Sequence, residues 1–199
     1  MIEERPEEMA RQVLACFRMP SVQTMMSRKS SITNAFVSAI IPIVEPTAAE
    51  VAQALTILGM RAETVQCAYC GDKASEWDHL RPLVVDRRPT GYISEIGNLV
   101  PSCGKCNQFK GNKNWIEWIV SNAPHAPARR GVIGLSSRIE RLKEYERWRP
   151  AEPIDFEAIL GPELYAQYWL KLDQAIEYMR ECQVFAQALR VQIASRHQR

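Results

Sequence analysis

A mainly helical chain with one small α+β insert is the fold class this sequence predicts, on three observations. Apolar residues recur at helical spacing over residues 7–18, 31–41 and 162–195, on both sides of the middle of the chain. Between them stand two Cys-x-x-Cys pairs, Cys67/Cys70 and Cys103/Cys106. The stretch they enclose is punctuated by Pro and Gly and reads as short strands. Four cysteines at this spacing form a tetrahedral thiolate set with no open position, which points to structural zinc. The gap from Cys70 to Cys103 is wider than a ribbon needs, so Zn²⁺ is expected to staple the ends of an inserted unit. Disulfides are the competing reading. The chain begins MIEERPEEMA, without an apolar leader, and the expected location is therefore the reducing cytoplasm.

In chain order, Met9, Ala10, Val13, Leu14 and Phe17 form one helical stripe that ends before Pro20. Residues 21–31, rich in Ser, Met and Thr, read as a loop or weak helix. A second apolar helix is expected over 31–41, stopped by Pro42. Thr47-Ala-Ala-Glu50 has the form of a capping box and opens a third helix, which Gly59 closes. These helices hold no cluster of ligand-type side chains and are expected to be scaffold. Cys16 and Cys182, outside the pairs, are expected to be buried thiols.

Residues 61–66 read as a strand leading into the first cysteine pair. Strands are expected over 80–85 and 92–100, with Arg87-Arg88-Pro89-Thr90-Gly91 at a hairpin tip. Helical pieces follow at 107–111 and 114–121, the second burying Trp115, Trp118 and Ile119. After a connector over 122–134, Ser137-Arg-Ile-Glu140 reads as a second capping box, opening a helix to Trp148.

The last helix is expected to start at Pro162, a favoured first position, and to run to about Ser195. Its Tyr165, Tyr168, Leu172, Ala175, Met179, Cys182, Ala186, Leu189 and Ile193 step by three and four. Such a heptad-like seam serves either packing against the N-terminal helices or a homodimer through this C-terminal helix. The expected organisation is an N-terminal helical region over 1–60, the insert unit over 61–121, and a connector with C-terminal helices over 122–199, all within one compact domain.

The insert carries Asp78-His79, Asn98-Leu99-Val100-Pro101, Cys103-Gly-Lys-Cys106-Asn107 and Lys110-Gly111-Asn112-Lys113. As a combined pattern, running from Cys67 to Trp118 over about a quarter of the chain, this resembles the HNH endonuclease family. The resemblance implies a zinc-stapled ββα-metal unit, a hairpin followed by a helix. It implies that His79 is the general base and that Asp78 and Asn107 hold one catalytic Mg²⁺ or Mn²⁺. It implies that Asn98 keeps the His-bearing hairpin in shape. DNA as substrate, products with 5′-phosphate and 3′-hydroxyl ends, and a setting in restriction or phage defence follow from the same resemblance. One position departs from the family name: Asn107 stands where a His is implied. An amide oxygen suits Mg²⁺ better than an imidazole does.

The residues themselves fit that chemistry. Phosphodiester hydrolysis needs a water deprotonated near neutral pH, and His has the unperturbed pKa, about 6.5, that lies nearest. The leaving oxygen needs charge stabilisation, which a carboxylate-bound metal supplies. Adjacent strand residues point to opposite faces. Asp78 and His79 can therefore share a site only through a kink near Asp78 or a side chain reaching round the strand edge, and Pro82 fits an edge strand. The plainer readings are a satisfied histidine at 79, a turn asparagine at 98 and a helix N-cap at Asn107.

Net charge is only +2, which excludes a globally basic DNA coat. The bias sits on the insert: residues 61–130 hold ten Lys/Arg against seven Asp/Glu, and the remainder fifteen against sixteen. Arg81, Arg87, Arg88, Lys105, Lys110 and Lys113 are the expected phosphate contacts, with Arg129 and Arg130 as further candidates. No apolar run approaches a membrane span. A zinc-ribbon module that binds nucleic acid without cutting is the rival reading, and it needs neither Asp78-His79 nor Asn107. A nuclease toxin is the second rival, with the same chemistry and little sequence preference.

Overall fold

The computed structural model describes residues 6–197. Among the described residues the chain is mostly helical with two small antiparallel sheets. Its described residues group into two compact units, one holding the chain through Lys29 together with Ala175 onward, the other Ser30–Gln174. No helix among the described residues is long and apolar enough to cross a membrane.

The first unit contains α1 (Pro6–Ala15) and a short 3₁₀ turn over Met25–Arg28, together with the C-terminal half of α8 (Pro162–His197). The turn is fastened where Met25 N–H donates to Gln183 Oε1 at 2.6 Å. On α1, Met9, Val13 and Leu14 are exposed, as is Phe17 beyond it. Cys16, expected to be buried, is exposed, and Cys182 is half-buried. The seam of α8 is at least partly covered from Tyr165 to Ala186 and lies open at Leu189 and Ile193. At 36 residues this helix is about 54 Å long.

In the second unit, α2 (Lys29–Ala39) begins two residues earlier than the apolar pattern indicates, directly after the 3₁₀ turn. It buries Thr33 and Val37, and Phe36 stacks at 5.7 Å on Tyr168 of α8. The capping box at Thr47 is present in full and opens α3 (Ala48–Ile57). Thr47 Oγ1 accepts from Glu50 N–H at 3.2 Å, and Thr47 N–H donates back to Glu50 Oε2 at 2.8 Å. The expected strand over 61–66 is instead a 3₁₀ turn, Ala62–Thr64.

The hairpin differs from expectation in an informative way. Strand β1 (Glu76–His79) pairs antiparallel with β4 (Leu99–Ser102), and β2 (Val84–Val85) pairs with β3 (Arg88–Pro89). The tip is Asp86-Arg87, both at positive φ (49° and 66°), as a two-residue hairpin turn requires. Between the two ladders the Asn98 amide takes over. Its Oδ1 accepts from Arg81 N–H at 2.7 Å, and its Nδ2 donates to the carbonyls of Arg81 (3.1 Å) and Ile93 (3.2 Å). One side chain replaces ladder bonds that Pro82, lacking an N–H, could not supply.

Helix α4 (Gly104–Lys110) starts three residues before the expected one, because Cys103 is its N-cap and accepts from Cys106 N–H at 3.4 Å. Helix α5 (Trp115–Ile119) buries both tryptophans, with Trp118 edge-on to Tyr69 at 5.5 Å. Helix α6 (Leu135–Trp148) begins after Gly134 at φ 71°, so the Ser137 capping box falls inside the helix and caps nothing. The backbone has already turned at the glycine. Tyr145 of α6 pins the segment before β4, its hydroxyl donating to the carbonyls of Ile96 (2.5 Å) and Leu99 (2.9 Å). Helix α7 (Phe156–Leu160) precedes α8.

Replacing Asn98, itself 0% exposed, by Ala leaves three part-buried backbone groups of Arg81 and Ile93 without this partner. The variant should lose about 3 kcal/mol of stability in urea unfolding. A loss under about 0.5 kcal/mol, the level of a neutral surface change, would refute the bridging role.

Candidate active site

Two centres lie back to back in the insert. In the first, the ligand atoms of Cys67, Cys70, Cys103 and Cys106 all lie within 4.8 Å of one another, and all four residues are buried. A tetrahedron with Zn–S of about 2.3 Å sets S···S near 3.8 Å. Cys70 and Cys103 stand at 3.7 Å, right for thiolates on one zinc ion and far too long for a disulfide. Donation from Cys106 and Cys70 holds Cys67 well below the ordinary thiol range, in keeping with a thiolate ligand. Arg130 helps to balance that charge. Its guanidinium donates to Cys106 Sγ at 3.6 Å and pairs with Asp72 at 2.7 Å.

The second centre is built on Asp78, 5% exposed on β1. Its Oδ2 accepts from the Tyr69 hydroxyl at 2.5 Å, and Lys110 Nζ lies 3.1 Å from Oδ2 and 3.3 Å from Oδ1. Lys110 also donates to the carbonyls of His79 (2.7 Å) and Gly111 (3.2 Å). Burial pushes the Asp78 carboxyl up and the Lys110 ammonium down, and each partner opposes the other's shift. Burial and the adjacent carboxylate raise Tyr69 well above its usual value, so it stays a donor.

His79 follows on the same strand. Its register against Leu99 is unbroken, so the kink near Asp78 is not there. The two residues instead share a cavity of about 310 Å³ at the end of the strand. His79 Nε2 is 2.9 Å from Ser94 Oγ. Ser94 is itself held by the chain after α2: it accepts from Val44 N–H at 2.9 Å and donates to Pro42 O at 3.2 Å. Burial, then the Lys110 charge, lowers His79 to about 4, which leaves the imidazole neutral at pH 7.

Asn107 projects from the middle of α4 into the same cavity, so it is no N-cap. Its Nδ2 donates to Glu76 Oε2 at 2.6 Å. That orientation leaves its amide oxygen available as a ligand. A carboxylate and an amide oxygen on one cavity form the hard donor set that Mg²⁺ or Mn²⁺ takes, with water filling the remaining positions.

Comparison with known proteins bears on this stretch. The HNH endonuclease family matches residues 67–113. This stretch is an HNH segment. Over 90 residues the chain is 29% identical to the CRISPR-associated endonuclease Cas9 of Corynebacterium diphtheriae, a match covering 43% of this chain and 7% of that protein. No solved structure matches.

The basic residues expected to meet phosphate are mostly engaged elsewhere in the HNH segment and its surroundings. Lys110, 0% exposed, is the partner of Asp78 and cannot reach a phosphate. Arg81 pairs with Glu146 at 2.7 Å, and Arg87 with Asp173 at 3.2 Å. Arg88 lies 4.6 Å over the Trp169 ring. Lys113 donates to the last carbonyls of α4, and Arg129 to Asn122 O. Lys105 is exposed and makes no ion pair among the described residues.

Sequence reasoning missed Tyr69, Ser94 and Glu76, which orient Asp78, His79 and Asn107 in turn. Glu76 alone left a trace, sitting two residues before Asp78 on the same strand face.

Two outcomes check these centres. Cys103→Ser should lose zinc by elemental analysis and unfold the HNH segment, since structural zinc supplies about 10–16 kcal/mol in small domains. Lys110→Met should cost about 3–5 kcal/mol in chemical denaturation, because it strands a buried carboxylate. If Lys110 were a surface phosphate contact, stability would stay within about 0.5 kcal/mol of wild type.

Proposed function

We propose that the chain is a divalent-metal-dependent DNA endonuclease that hydrolyses a phosphodiester with water activated by His79. One observation carries the reading: Asp78, His79 and Asn107 line a single cavity within a segment that matches the HNH family. A non-catalytic zinc module has no use for that convergence.

The roles follow from the contacts. In the tautomer that donates Nε2–H to Ser94 Oγ, Nδ1 of a neutral His79 is the nitrogen that takes the water proton. Tyr69 and Lys110 fix the Asp78 carboxylate where it lines the cavity. Asp78 and the Asn107 amide oxygen would hold Mg²⁺ or Mn²⁺, which supplies charge stabilisation for the scissile phosphate and leaving 3′ oxygen. Asn98 acts on the hairpin rather than on the substrate, keeping β1 and its His79 in register. The defence setting rests on resemblance to small HNH nucleases, and the CRISPR-associated relative is in keeping with it.

His79→Ala should lower cleavage of supercoiled plasmid in Mg²⁺ or Mn²⁺ by about 10²–10⁴-fold while zinc content and melting stay at wild-type values. A wild-type protein that binds DNA without cutting, or a variant that cuts equally well, overturns the proposal.

A further inference from the structure

The cavity has a wall that the catalytic reading does not use. Asn34 and Ser38 of α2 line it together with Asp78, His79 and Asn107. They stand at i and i+4, so they share one helix face about 6 Å apart along the axis. Asn and Ser weaken a helix interior unless their side chains bond back to the backbone or serve something outside it. Neither makes a side-chain hydrogen bond among the described residues, and both are exposed. The orientation of this face is fixed from the other side of the helix. Thr33 and Val37 are buried, and Phe36 O accepts from the Tyr168 hydroxyl at 2.8 Å.

The character of the wall is equally specific. Asn34, Ser38, Asn107 and Asn112 supply neutral amides and a hydroxyl, and no Lys or Arg lines the cavity. Arg81, Arg87 and Arg88 are tied to Glu146, Asp173 and Trp169. Neutral amide and hydroxyl side chains are among the groups that position a nucleic-acid backbone by hydrogen bonds to phosphate and sugar.

We infer that the Asn34–Ser38 face of α2 is the second wall of the substrate groove, holding the sugar–phosphate backbone of the cut strand against His79 through neutral hydrogen bonds. This rests on the nuclease reading above. The two residues position the strand and take no part in bond breaking.

The test uses the full-length, zinc-loaded protein and a fluorescein-labelled 20-base-pair DNA duplex. The double variant Asn34→Ala/Ser38→Ala should raise KM for cleavage by about 10-fold or more, since two hydrogen bonds of ordinary strength are lost. Its kcat should stay within about twofold of wild type, and zinc content and melting should not move. Anisotropy on a His79→Ala background, where nothing is cut, should show the same weakening of Kd. The slope of log Kd against log salt should be unchanged, because no charge is removed. Asn34→Asp, which places a carboxylate on the wall without changing its size, should weaken binding further.

Unchanged KM and Kd in the double variant, a raised kcat marking α2 as an obstruction, or no DNA binding at all would each overturn the inference. A protein that binds DNA but never cuts it would sink the nuclease reading alone. The Kd comparison would then still decide whether α2 holds the strand.

Discussion

The four-cysteine clamp is the constraint on which the rest of the insert depends. Cys70 and Cys103 are 33 positions apart in the chain, yet their sulfurs stand 3.7 Å from each other. Closing a loop of that length costs chain entropy, and four thiolates on one zinc ion would supply binding free energy large enough to offset it. Asp78, His79 and Asn107 then hang between fixed ends. The first cysteine pair delivers Tyr69 to Asp78. The second starts α4, through the Cys103 cap, and so sets the phase at which Asn107 and Lys110 leave that helix. A shift of one residue would swing each of them by about 100°.

Within that frame the buried Asp78–Lys110 pair does a second job. A lone carboxylate at this depth would be driven toward its neutral form by desolvation. The ammonium opposes that shift, and the same lysine reaches the carbonyl of His79, joining the histidine strand and the carboxylate through one cation. Burial, and after it the Lys110 charge, also holds the imidazole of His79 in its neutral form. A conventional surface role for Lys110 would give up all three effects. The engagement of Arg81, Arg87 and Arg88 with α6 and α8 extends the same economy: those cations hold the hairpin in place.

The cysteine cluster, and the residues that share one cavity beside it, stood out in the sequence because their spacing is local. Cys-x-x-Cys pairs, the Asp-His doublet and an Asn directly after the last cysteine are patterns within a few residues of one another. The Thr47 capping box was legible for the same reason, and the matching pattern at Ser137 misled because Gly134 had already begun the helix. Strand limits were missed at 80–85 and 92–100, since a side-chain amide from Asn98 substitutes there for the ladder that a period-two pattern assumes.

The sequence by itself determined the helical class, the four-cysteine cluster and the local motifs on which the proposed hydrolysis rests. Each of these is a property of residue type and short-range spacing. Only the tertiary structure decided that Lys110 is buried, that Ser94 and Tyr69 orient the histidine and the aspartate, and that α2 brings Asn34 and Ser38 to the same cavity. Those contacts join residues from 9 to more than 60 positions apart. They are selected by packing and by the desolvation of charge, which depend on what else is nearby in space and leave no periodic mark on the chain.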